Sequence, residues 1–197
     1  KKECLKYLLS IMPETSWQKI GQSRNRVELP LITKAVRLGN EELVRWLVDH
    51  GVSINASPNA NYGSSAVANP ISSAIISKHL DMIPMLLELG CNPNSSQNEI
   101  LPPIIRAIRD DNKELLQLLI DAGADINEET QRYLSPLSTA VFGDQAEVIE
   151  MLIKNGADID QKGFEGRTAI LHSCAQDHLG PFILLLQAGA NLDIEDD

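Results

Sequence analysis

Five glycines fix the frame of this chain. Gly51, Gly90, Gly123, Gly156 and Gly189 are separated by 39, 33, 33 and 33 residues. Each follows a similar run: Leu47-Val48-Asp49-His50, Leu86-Leu87-Glu88-Leu89, Leu119-Ile120-Asp121-Ala122, Leu152-Ile153-Lys154-Asn155 and Leu185-Leu186-Gln187-Ala188. A period near 33 residues restricts the chain to a stack of small units, each burying its apolar face against the next. Sixteen residues before each glycine stands a small residue, Ala35, Ala74, Ala107, Ala140 or Ser173, and four residues before three of these comes Pro70, Pro103 or Pro136.

Each feature has a mechanical reading. A glycine after an apolar run ends a helix in the left-handed conformation, which costs other residues more. Asn69-Pro70 and Ser135-Pro136 read as an N-cap followed by Pro at the first helical position, and Thr168-Ala169 keeps the cap role without the Pro. The small residue lets one helix lie close to its neighbours. The tract after each glycine, such as Ala124-Asp125-Ile126-Asn127, fits a hairpin rather than a helix. Each unit is therefore helix, turn, helix, then an extended hairpin into the next.

This pattern resembles the ankyrin repeat family. The residues that carry the resemblance are the Ser135-Pro136-Leu137 and Thr168-Ala169-Ile170 starts and the tract 122–127, with near copies at Gly156-Ala157-Asp158-Ile159-Asp160 and Gly189-Ala190-Asn191-Leu192-Asp193. The pattern departs from the family at the His expected near the start of the first helix, where Thr33, Ser72, Ile105, Ser138 and Leu171 stand instead. The fold class expected is an all-α ankyrin-repeat solenoid, with paired antiparallel helices joined by β-hairpin loops. Repeats are expected at 27–59, 66–98, 99–131, 132–164 and 165–197, preceded by a partial unit at 1–20 whose Leu5–Met12 run matches the end of a second helix. Together they read as one continuous domain. Extra residues fall within 13–27 and within 57–68; an insertion of that kind is either a tolerated loop or part of a binding face. Lys1 is not an initiator Met and the last tract reads as the lead into another unit, so the expectation is a piece of a longer protein with further repeats or domains.

Composition narrows the function. Hydrophobic residues at 43% and charged residues at 22% suit a packed chain rather than a disordered one. Aromatics at 4% leave the core to Leu, Ile, Val and Ala. The net charge of −10 repels nucleic acid and anionic lipid, so neither is an expected partner. No apolar stretch is long enough to span a membrane. Cys4, Cys91 and Cys174 are odd in number and far apart, the usage of a reducing compartment, which gives an expected intracellular location, cytoplasmic or nuclear.

Chemistry is sparse. There is no Gly-rich phosphate loop. His172 and His178 flank Cys174, but His178 shares its repeat position with His79 between the two helices, where the resemblance implies a structural role. No metal, cofactor or catalytic residue is expected, and the chain is not read as an enzyme. The expected function is non-catalytic protein–protein recognition. The alternative is a regulatory or substrate-recruiting region of a larger enzyme, channel or multidomain receptor.

The resemblance also implies a concave groove lined by the hairpin tips and the exposed face of the first helices. Groove positions carry Arg37, Ile76, Arg109 and Phe142 on the first helices and Arg26, Arg132, Phe164 and Arg167 in the hairpins, with Trp17 in the long first hairpin. The back carries acids instead: Glu42, Asp81, Glu114, Glu147, Asp49, Glu88 and Asp121. Arginine and aromatic residues are enriched at binding hot spots. Two readings of the arginines stand: they meet a partner segment with carboxylates or phosphates and apolar anchors, or they pair with acids of the chain itself. Trp17 likewise reads as a partner anchor or as a cover for the first repeat.

Overall fold

The helix pairs are present in both halves of the chain. The computed structural model describes residues 31–55, 69–94, 101–128, 134–163 and 166–194. Among these there are ten α-helices in antiparallel pairs: α1 (Leu31–Arg37) with α2 (Glu41–Asp49), α3 (Pro70–Ile76) with α4 (Ile83–Glu88), α5 (Pro103–Arg109) with α6 (Lys113–Asp121), α7 (Pro136–Phe142) with α8 (Ala146–Lys154), and α9 (Ala169–Ala175) with α10 (Leu179–Gln187). A 3-10 turn, Leu80–Met82, leads into α4. The chain divides into two compact units, Lys1–Ile100 and Leu101–Asp197. In the first, α1 packs on α2 and α3, and α3 on α4. In the second, α5 packs on α6 and α7, α7 on α8 and α9, and α10 on α8 and α9. The partial unit expected at 1–20 lies outside the described residues.

The first helices begin largely as their sequences dictate. Asn69 Oδ1 accepts the Ser72 N–H at 2.9 Å and Ser135 Oγ accepts the Ser138 N–H at 3.2 Å, with Pro70 and Pro136 next to the caps. Thr168 differs from expectation. It keeps the extended backbone of a cap, φ −83° and ψ 166°, but its hydroxyl makes no capping bond. Its Oγ1 is buried without a hydrogen-bond partner among the described residues. The second helices α2 and α6 are capped by Asn40 and Asn112, which accept from Leu43 and Leu115.

The five frame glycines close α2, α4, α6, α8 and α10 with φ between 82° and 94°. Each closure is a pair of bonds. At the first, the Gly51 N–H donates to the Val48 carbonyl and the Val52 N–H to the Leu47 carbonyl; the same pair recurs at Gly90, Gly123, Gly156 and Gly189. This Schellman arrangement satisfies two of the carbonyls that a helix end leaves open.

The first helices end the same way, which the glycine frame did not reveal. Gly39, Lys78, Asp111, Asp144 and Asp177 all have φ between 49° and 63°. The N–H of the following residue reaches back to the small residue's carbonyl: Asn40 to Ala35, His79 to Ala74, Asn112 to Ala107, Gln145 to Ala140 and His178 to Ser173. The small residues are at most 1% exposed, so each lies where a larger side chain has no room.

Where β-hairpins were expected, the described residues contain no strand. Side chains hold these tracts instead. Asn92, Asp125, Asp158 and Asn191 each accept the backbone N–H two residues on, an Asx turn. The residue at that second position then reaches the next tract: Asn55 Oδ1 accepts the Asn92 N–H at 2.8 Å, Asn127 Oδ1 the Asp158 N–H at 2.8 Å, and Asp160 Oδ1 the Asn191 N–H at 2.9 Å. Short polar side chains compete with ladder pairing in this way.

The same helix positions supply the core of each unit. Leu47, Leu86, Leu119, Leu152 and Leu185 are at most 1% exposed, and Val44, Ile83, Leu116 and Ile149 are fully buried one turn earlier. Burying each such side chain contributes about 1.5–3 kcal/mol. Residues between helices stitch neighbours together: Gln145 Nε2 donates to the Ile108 carbonyl at 2.8 Å, and His178 Nδ1 to the Val141 carbonyl at 3.0 Å.

Candidate functional site

The closing turn of each first helix aims its last residue outward. Arg37, Ile76, Arg109 and Phe142 end α1, α3, α5 and α7 in that order, and all four are exposed. Ile76 is 54% and Phe142 55% exposed, high for large apolar side chains. Arg167 lies half-buried just before α9. Trp17, Arg26, Arg132 and Phe164 lie outside the described residues.

In the second unit the structure brings two of these residues together. Arg109 and Phe142 line one cleft of about 340 Å³, with Ile105, Leu134, Thr139, Gly143 and Gln145. In the first unit, Arg37 and Ile76 end neighbouring helices, and Leu38 beside Arg37 is 72% exposed. Neither Arg37 nor Arg109 has an ion-pair partner among the described residues. Arg106, one turn before Arg109, has its Nε buried without a hydrogen-bond partner among them.

Two cations of the second helices behave differently. Arg45 on α2 lies 3.8 Å from Glu88 on α4, and Lys113 on α6 donates to Glu147 on α8. The hydrogen bond from Lys113 and its positive charge hold the Glu147 carboxyl below the usual carboxylate range, and Glu147 in turn raises Lys113. The acids expected on this side, Glu42, Asp49, Asp81, Glu88, Glu114, Asp121 and Glu147, are all exposed.

The remaining sequence candidates resolve into packing. His178 spends its Nδ1 on the Val141 carbonyl. The His79 ring occupies the space beside Gly39, where an added Cβ would come within 2.8 Å of it. Trp46 stacks on His50, the residue that closes its helix, ring centroids 3.9 Å apart. Cys91 is buried, whereas Cys174 is exposed because α9 turns that position outward.

Paired helices, twin left-handed closures and side-chain-bridged tracts recur at one period, and the family model for ankyrin repeats in three copies matches residues 1–97 and 104–196. The chain belongs to the ankyrin repeat family. Ankyrin repeats are generally protein-interaction modules and typically non-catalytic, and no other domain is matched. No curated protein matches the chain. Among the described residues no helix is long and apolar enough to cross a membrane.

Sequence reasoning missed four features of this ankyrin surface. Leu38, Leu134, Thr139 and Gln145 were not singled out. Gln145 was detectable, because it occupies the repeat position of His79 and His178. The last second helix also differs from the others: Leu179 and Ile183 stand where α8 carries Ala146 and Glu150 and α6 carries Lys113 and Gln117. With Leu186 they form an exposed stripe at i, i+4 and i+7, the three being 68%, 42% and 44% exposed.

Proposed function

We propose that this ankyrin region recognises a partner protein segment through the exposed ends of its first helices and the tips of the connecting tracts beside them, where hairpins were expected. The residues proposed for contact are Trp17, Arg26, Arg37, Ile76, Arg109, Arg132, Phe142, Phe164 and Arg167, and the repeat boundaries 27–59, 66–98, 99–131, 132–164 and 165–197 belong to the same proposal. One observation carries it. Arg45 and Lys113 on the second helices each meet a carboxylate, while Arg37 and Arg109 on the first helices meet none among the described residues. An exposed guanidinium beside large exposed apolar side chains favours a partner that brings carboxylates and apolar anchors. A preformed helical scaffold lowers the ordering cost of binding.

The test is charge reversal. Residues 1–197 capture a protein from lysate of the source cells, and its affinity is measured for the wild type, for Arg37→Glu/Arg109→Glu/Arg167→Glu, and for Glu42→Lys/Glu114→Lys on the second helices. Loss of about tenfold or more in the first variant alone supports the proposal, since one hot-spot residue contributes about 2 kcal/mol. Equal affinity across all three contradicts it.

A second reading, the regulatory or recruiting region of a larger protein, is supported by the stripe on α10. The equivalent positions of α8, Ala146 and Glu150, stay exposed although α10 follows, so an apolar stripe there suits cover by another part of a larger protein rather than by a next repeat. Sedimentation showing a monomer agrees with this reading, whereas a dimer that Ile183→Lys dissociates contradicts it.

A further inference from the structure

The cleft of the second unit has its own chemistry. The last turns of α5 and α7 bound it. Ile105, 1% exposed, contributes a buried apolar surface, and Leu134 and the Phe142 ring add two more. The Gln145 side chain is fixed there by the bond from its Nε2 to the Ile108 carbonyl. Gly143 makes room for it, since an added Cβ would lie 3.2 Å from Gln145 Cγ and Cδ. The volume of about 340 Å³ sits at the small end of ligand sites and suits one bulky side chain and its neighbour rather than a cofactor.

Arg109 is the one charged residue among those lining the cleft. Its guanidinium presents a planar fork of donors that matches a carboxylate in two parallel bonds. A basic or neutral polar occupant would meet that cation and the apolar surfaces without compensation. We propose that this cleft takes one aromatic or aliphatic side chain of a partner peptide, with a carboxylate on or next to that residue held by Arg109. The inference rests on the recognition reading above and names the chemistry of its central contact.

The test uses small probes on the intact chain, followed by amide NMR shifts. 3-Phenylpropionate carries the ring and the carboxylate, 3-phenylpropionamide removes the charge, and phenethylamine reverses it. N-acetyl-phenylalanine and N-acetyl-aspartyl-phenylalaninamide distinguish a chain-end carboxylate from a side-chain one. The expected result is saturable shifts at Arg109, Thr139, Gly143 and Gln145, with 3-phenylpropionate binding at least tenfold more tightly than the amide or the amine. Arg109→Gln abolishes that preference while the spectrum stays dispersed, and Phe142→Ala weakens all the probes together. Equal binding of the amine, or a preference that survives Arg109→Gln, overturns the inference. A partner whose affinity depends on Arg37 while the cleft ignores every probe overturns it and leaves the recognition reading standing.

Discussion

At the residue scale, the described residues hold ten left-handed closures, five after each kind of helix. The frame glycines make theirs without crowding: a Cβ at Gly123 would meet nothing within 4 Å, so the whole cost of replacing it lies in its φ of +83°. Gly123→Ala is therefore expected to lower unfolding free energy by about 1 kcal/mol, measured by urea denaturation. Lys78 presents the reverse case, a lysine held at φ 61°. Lys78→Gly is expected to raise stability by about 0.5–1 kcal/mol in the same assay, because relief of the left-handed strain exceeds the added chain entropy. No gain would contradict the strain argument. The first set of closures was legible because glycine announces a positive φ. The second was not, since Asp111, Asp144 and Asp177 take the same conformation with a residue type equally at home in solvent.

At the element scale, neighbouring repeats are joined by side chains that bridge backbone groups. Asn127→Ala removes the acceptor of the Asp158 N–H and is expected to cost about 1 kcal/mol. Faster hydrogen exchange at Asp158 would locate the effect. The tracts were expected as hairpins because apolar and polar residues alternate after each glycine. The Asx positions decide otherwise, and they too were on the page as the repeated Asp or Asn of 125, 158 and 191. Across the second helices, the Lys113–Glu147 pair makes a pH prediction. The carboxyl of Glu147 is held below its ordinary value of 4.5, so the pair's contribution is present above that value and is lost as pH falls through the lowered one. Lys113 is raised above 10.5, so the contribution is lost again as pH rises through that higher value. The Glu147 carboxyl, followed by carbon NMR, should titrate below 4.5 in the wild type and move up in Lys113→Ala. An unchanged midpoint would show that the pair does not persist in solution.

At the scale of the whole molecule, an acidic chain pairs Arg45 and Lys113 of the second helices with carboxylates, while Arg37 and Arg109 of the first helices meet none among the described residues. The repeat frame made this legible in part: it placed Arg37, Ile76, Arg109 and Phe142 at the exposed helix ends where they are found. It did not show that Arg109 and Phe142 share a cleft, because that depends on how Gly143 and Gln145 pack between the two helices, which repeat spacing does not reveal. The apolar stripe on α10 was foreshadowed only as a helix with too much leucine. The most direct measurement is a map of amide shifts and exchange protection on residues 1–197 when the captured partner is bound. The account predicts changes centred on Arg37, Ile76, Arg109, Phe142 and Arg167, with the acids of the second helices undisturbed. A footprint centred on Glu42, Glu114 and Glu147 instead would contradict it.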